Sequence, residues 1–296
     1  IDYWQQRADY KIDVTIDDEN QMLYGEEVIT YFNNSPDVLR YLWVQLDQNV
    51  RANDSNTPLV TPSTMSNSYS GKRLQSLTNS FTNAKGEKYN GGYEISYVKD
   101  LNNKNLNYSI VSTMMRIDLE EPMSTGDSYT FKIKWSYEIN DRMKLGGRGG
   151  YEYFPKDGNF SYTIAQWFPR MAVYDDKEGW QNKQFLGRGE FALAFGDYEL
   201  NITVPADFVV AATGSLQNPE EVLTKKELER YEKAKQTFDK PVIITTQEEA
   251  IKKENNPIKN KTKTWRYKAE MVRDVAFAAS RKFIWDAMAV LSLIHI

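Results

Sequence analysis

The sequence predicts a mainly β fold: a large β-sandwich, or a curved, saddle-like antiparallel sheet, with a polar loop insertion and a charged helical insertion. Three observations carry this. The chain of 296 residues holds 19 Tyr, 13 Phe and 7 Trp, side chains that suit a pleated, half-buried surface. Apolar and polar residues alternate in run after run through the N-terminal two thirds, the period of a strand with one wet face. Turn residues separate those runs, whereas helical spacing is confined to one charged block.

Tyr10, Ile12, Val14 and Ile16 alternate with polar neighbours and predict the first strand, closed by turn residues at Asp17 to Asn20. Met22 to Phe32 is a second strand, ended by Asn33-Asn34-Ser35-Pro36. Leu42, Val44 and Leu46 mark a third over Leu39 to Leu46, so the three read as an antiparallel meander. Residues 51–92 are rich in Asn, Ser, Thr and Gly and read as a loop insertion, with a short helix around Lys72 to Leu77. Strands return at Tyr93 to Val98, Ser109 to Leu119 and Tyr129 to Ile139, the last two joined by a turn through Glu120-Glu121-Pro122 and Gly126-Asp127. Phe160 to Phe168, Phe191 to Val204 and Phe208 to Thr213 are further strands.

Residues 219–256 form the charged insertion. Val222, Leu223, Leu228, Tyr231, Ala234 and Phe238 have helical spacing over Glu220 to Phe238, with Asn218 as N-cap and Pro219 at the first helical position. Val242 to Thr246 is β-like and Gln247 to Glu254 a second short helix. Thr264 to Met271 is a strand, while Val275 to Trp285 is apolar enough for a buried strand or a helix. No internal repeat is evident. The β-rich domain is therefore 1–283, followed by 284–290 as the start of a linker.

Composition excludes several chemistries. Cysteine is absent and the single histidine, His295, is next to last. These counts rule out a disulfide framework, a thiolate nucleophile and a two-histidine metal site. A Ser-His-Asp triad would have to recruit a chain terminus. The net charge of −4 provides no basic field for nucleic acid. No apolar run is long enough to span a membrane. The missing initiator Met reads as a processed start or a piece of a longer reading frame.

Strong local motifs are missing: no nucleophile elbow, P-loop, dinucleotide fingerprint or His-Glu-x-x-His. The pairs Asp17/Asp18, Glu120/Glu121 and Asp175/Asp176 are adjacent, and neighbours on a strand face opposite ways, so each reads as a turn or solvated edge. Asp175, Asp176 and Glu178 could alternatively supply oxygen ligands to calcium. Gly146-Gly147-Arg148-Gly149-Gly150 could be an RGG-type RNA contact, but one copy in an acidic chain favours a flexible loop. The most informative segment is Ile164-Ala165-Gln166-Trp167-Phe168-Pro169-Arg170-Met171-Ala172-Val173-Tyr174-Asp175. Pro169 should end strand pairing. Gln166, at the strand end, can donate and accept hydrogen bonds at a cleft, or simply satisfy backbone groups.

This segment resembles a signature of the aminopeptidase N family of zinc metallopeptidases, closest to bacterial members that carry Gln-Trp-Phe-Pro-Arg-Met-Ala-Val-Tyr-Asp-Asp. Trp4-Gln5-Gln6 with Ala8 to Val14 is similar to the family's first strand. Tyr24-Gly25-Glu26-Glu27 and Tyr31 to Asp37 resemble its second strand and turn, and Tyr198 to Pro205 a later strand. The resemblance implies a β-rich N-terminal domain that packs over a thermolysin-like catalytic domain and closes one side of its cleft. It implies that Gln166 binds the free amino group of the peptide substrate. It places zinc, two His and one Glu ligand, and the catalytic Glu in the following domain, so no cofactor and no peptidase activity are expected of these residues alone. Relatives are often exported, which favours an exported or periplasmic location. The end, Leu291 to Ile296, departs from the family and reads as a non-native tail. The alternative is a non-catalytic β-sandwich binding module for carbohydrate or a protein partner, with exposed Trp and Tyr as stacking platforms. A third reading is a structural protein descended from such a domain.

Overall fold

The computed structural model describes residues 3–55, 57, 67–77, 82–83, 86–186 and 192–291. Its body is a seven-stranded mixed sheet. Across this sheet the strands run Ser215–Leu216, Thr262–Val272, Gly196–Pro205, Arg7–Asp17, Met22–Phe32, Ser128–Glu138, Glu94–Asp100. The period-two pattern is realised as read: Tyr10, Ile12, Val14 and Ile16 are buried while their neighbours face water. The sheet is not wholly antiparallel. Arg7–Asp17 pairs antiparallel with Met22–Phe32 but parallel with Gly196–Pro205, in the register Tyr10 to Tyr198. Alternation in sequence carries no strand direction, so this pairing was not legible in it.

Two four-stranded sheets complete the sandwich-like architecture. One is ordered Arg170–Met171, Leu39–Gln45, Met114–Met123, Asn107–Val111; the other Val209–Ala212, Phe277–Ser280, Asn159–Ile164, Gly150–Phe154. One core cluster takes side chains from all three sheets, including Ile12 and Ile133, Leu42 and Ile117, Tyr162 and Ala279. Trp135, Trp167 and Trp265 lie fully within it. No helix among the described residues is long and apolar enough to cross a membrane.

Several expected boundaries move. The run Ser109 to Leu119 is a hairpin, because Ser112 adopts φ 51° and turns the chain between Asn107–Val111 and Met114–Met123. Pro122 lies inside the second of these strands, not in the turn. It is tolerated there because the register slips between Leu39/Met123 and Tyr41/Asp118, which lets the intervening residues bulge from the ladder. The turn itself contracts onto Ser124 and Gly126-Asp127.

The helix expected over Glu220 to Phe238 is two helices, Pro219–Val222 and Lys225–Ala234. Thr224 starts the second: its hydroxyl accepts from the Glu227 N–H, and the Glu227 carboxylate accepts from the Thr224 N–H. This reciprocal box outcompetes continuation of the first helix. Asn218 makes no side-chain cap. Its amide instead donates to the Thr264 carbonyl and accepts from the Arg266 N–H, fastening the insertion to the large sheet. Thr246 and Glu249 repeat the box at Gln247–Asn255. Within Val275 to Trp285 the strand alternative holds over Phe277–Ser280, which pairs in the third sheet. Trp285–Ala287, expected within a linker, pairs with Val242–Thr245. Residues 292–296 of the expected tail, with His295, and Phe191 of an expected strand lie outside the described residues.

Candidate functional site

The Asn159–Ile164 strand ends where its chain must leave the ladder, and the next residues divide sharply by environment. Trp167 and Phe168 are completely buried. The Trp167 indole N–H donates to the Val275 carbonyl at 2.9 Å, and its ring meets Phe168, Phe277 and Trp135 edge to face. Arg170 is also buried. Its guanidinium pairs with Asp47 and, at 2.8 Å, with Asp274. Burial lowers the Arg170 pKa, but Asp47 and Asp274 outweigh it and the net direction is upward, so the cation is kept. The Met171 N–H donates to the Tyr10 hydroxyl at 3.0 Å, and Arg170–Met171 pairs with Val44 and Gln45. Trp167, Phe168 and Arg170 are therefore anchors.

Gln166 is different. It is half-buried, and among the described residues its side-chain amide makes no hydrogen bond. Its backbone stands at φ 53°, in the left-handed region. An L-residue pays on the order of 1 kcal/mol there, so neighbouring contacts must hold it. The Gln48 side chain donates to the Gln166 carbonyl at 2.8 Å. Arg51 in turn donates to the Gln48 side-chain oxygen at 3.2 Å. Both come from the 3-10 turn Asp47–Arg51, which follows the Leu39–Gln45 strand.

The glycine loop borders this site and is tied down. The Asn140 amide donates to the Gly146 and Gly149 carbonyls at 3.1 and 2.9 Å. A Cβ on Gly149 would lie 3.1 Å from the Ala165 carbonyl oxygen, and one on Gly147, whose φ is +101°, would overlap the Arg51 guanidinium. The glycines therefore let the loop lie against the residue before Gln166 and against the arginine that holds Gln48.

The acidic pairs resolve as structural groups. Asp175 accepts from the Lys177 and Glu178 N–H groups and from the Gln181 amide. The Glu178 backbone bond is the main cause that draws its pKa down. Asp17 caps its own turn through the Glu19 and Asn20 N–H groups, while Asp18 accepts from the Tyr162 hydroxyl and Arg281. Glu120 pairs with Lys104. Among the described residues no three His, Cys, Asp or Glu side chains gather to hold a metal ion.

A separate groove of about 880 Å³ runs between the Asp17 turn, the Asp157 turn and residues 257–262. Arg281 on its wall is neutralised by Asp18 and Asp207. All seven Trp are buried or half-buried, whereas Tyr3, Tyr24, Tyr69, Tyr108 and Tyr153 are exposed, so of the stacking platforms in the binding-module reading the described residues present Tyr and not Trp.

Gln48, Arg51, Asp47 and Asp274 were not singled out from sequence. The Gln48–Gln166 contact spans 118 positions, and no local pattern announces it. A bend close to Gln166 is legible from Pro169, but its place is not: the strand expected over Phe160 to Phe168 ends at Ile164, the chain turns at Gln166, and pairing resumes at Arg170–Met171 directly after the proline.

No family model matches the sequence, and no curated protein does. Solved structures similar to the chain include a mutant M1 zinc metallopeptidase from Deinococcus radiodurans bound to a Tyr-Ser-Ala substrate, at 11% identity and a TM-score of 0.44. That match covers 93% of this chain and 42% of the other. A two-domain M1 zinc metallopeptidase mutant bound to L-tryptophan matches at 10% identity and a TM-score of 0.44, over 93% of this chain and 43% of the other. The D. radiodurans M1 zinc metallopeptidase matches at 11% identity and a TM-score of 0.43, over 93% and 41%. The chain thus spans about two fifths of the length of these structures.

Proposed function

We propose that this chain is the N-terminal, cleft-shaping domain of a zinc-dependent aminopeptidase, and that Gln166 contacts the free amino group of a bound peptide. The observation that carries the reading is the division within the signature segment. Trp167, Phe168 and Arg170 are spent on the core, while Gln166 keeps an uncommitted amide at a bend. A glutamine carbonyl is a neutral acceptor suited to an ammonium group, and it adds no charge that would need its own partner.

The described residues do not supply the donor set for zinc, so no hydrolytic step is assigned to this chain. In this reading the metal and the catalytic carboxylate belong to a catalytic domain that the β-rich domain covers. The partners are that domain and the peptide N-terminus, and the location is exported or periplasmic.

The test begins with the reading frame beyond Met288. Its continuation should encode His-Glu-x-x-His within roughly one domain length, and a stop codon shortly after Met288 would sink the proposal. In the longer protein, Gln166→Ala should raise KM for unblocked peptides with bound zinc unchanged. Unaltered kinetics would remove Gln166 from the site.

A further inference from the structure

We propose that Gln48 is the positioning residue for Gln166: it holds the Gln166 backbone in the left-handed conformation that turns the amide outward. The inference rests on the reading of Gln166 as the group that meets the peptide amine.

Gln48 is itself buried, and both ends of its amide are used. The nitrogen donates to the Gln166 carbonyl at 2.8 Å and the oxygen accepts from Arg51 at 3.2 Å. The opposite orientation would set oxygen against a carbonyl and an amino group against a guanidinium. The amide therefore has one orientation, and it is the donating one. The carbonyl it grips belongs to the peptide plane that leads into Trp167, whose indole is fastened to Val275. On the other side, Gly149 lies against Ala165. Gln166 is thus clamped before and after a φ that its own Cβ disfavours. A second strut runs parallel to the first: Asp47, next to Gln48 in the same turn, pairs with Arg170, so the Asp47–Arg51 turn grips the segment at both ends.

The decisive variant is Gln48→Glu, which keeps the volume and the acceptor for Arg51 but loses the donor. In the isotope-labelled chain, the Gln166 Cα and Cβ chemical shifts report its backbone conformation. The binding probe is alanyl-alaninamide, with its N-acetyl form as control, measured on the zinc-depleted longer protein that completes the cleft. We expect Gln48→Glu to move the Gln166 shifts away from the left-handed pattern. It should also weaken dipeptide binding roughly three- to tenfold, the scale of one hydrogen bond. Because the variant could also loosen the turn, a double-mutant cycle with Gln166→Gly is the second measurement. Glycine accepts the left-handed region unaided, so the two changes should be non-additive in unfolding stability. Unchanged Gln166 shifts, or additive stabilities, would overturn the positioning role. If the zinc-depleted longer protein with wild-type Gln48 does not distinguish the free dipeptide from the acetylated one, the amine-binding reading falls, while the shifts and the cycle still decide the role of Gln48.

Discussion

Replacing Glu27 by Gln should change how the stability of this chain responds to pH. Glu27 faces inward from the Met22–Phe32 strand, with Ile12 and Ile133 as cross-strand neighbours and none of its surface exposed. Neither carboxyl oxygen has a hydrogen-bond partner among the described residues. Burial pushes its pKa well above the ordinary 4.5. The folded state then keeps a proton that the unfolded chain has released. The stabilisation this provides is complete below the unfolded pKa and is lost as pH rises toward the folded one. Between those two values the loss runs at up to about 1.4 kcal/mol per pH unit, the linkage limit for one proton. Glutamine presents a neutral polar end of nearly the same shape and does not titrate. Glu27→Gln should therefore match the wild type near pH 4.5 and exceed it progressively above. Urea unfolding followed by Trp fluorescence at several pH values measures both curves, and their difference cancels every other titrating group. A difference that stays constant across pH would show that Glu27 is not buried as a neutral acid, and would refute the reasoning.

Asp47→Asn leaves the buried Arg170 short of a charge partner and should cost about 3–5 kcal/mol. Asp274→Asn should cost less, because the Asp274 side chain is 37% exposed and water can replace it; denaturant midpoints give the order. Gly25→Ala places a Cβ 2.3 Å from the Trp135 ring, where no flexible side chain can yield, and should destabilise by about 1–3 kcal/mol. A red-shifted Trp emission in the folded variant would accompany that loss if the indole is displaced. Thr224→Ala removes half of the reciprocal cap at Lys225–Ala234 and should cost about 1 kcal/mol. Hydrogen exchange should quicken in that helix first.

What was legible in the sequence is what depends on short spacing. The alternation of Tyr10, Ile12, Val14 and Ile16 describes one wet and one dry face whatever strand lies beside it, and it survives intact. The same parity marks Glu27 as inward-facing. Leu23, Gly25, Glu27, Ile29 and Tyr31 share a parity, so a carboxylate stood on the buried face of a strand whose register was already clear. The Thr224 cap was similarly available, since Thr-Lys-Lys-Glu is a helix start; helical apolar spacing across Leu223 to Leu228 concealed it. The parallel partner of Arg7–Asp17 and the turn that holds Gln166 were not available in this way. Each joins segments far apart in the chain, and neither leaves a periodic trace.

That contrast bears on how the signature segment should be understood. A motif of aromatic, proline and arginine residues around a glutamine invites the view that all of it serves the ligand. Burial separates the parts: removing Trp167, Phe168 or Arg170 takes away core packing or an ion pair, and any effect on a ligand would follow from a damaged fold. The Gln166 side chain, by contrast, can be changed without breaking a hydrogen bond inside the described residues. Under the proposed function, loss of peptide recognition at unchanged stability is therefore the expected mark of a Gln166 side-chain variant, whereas variants of its anchors should lose both together.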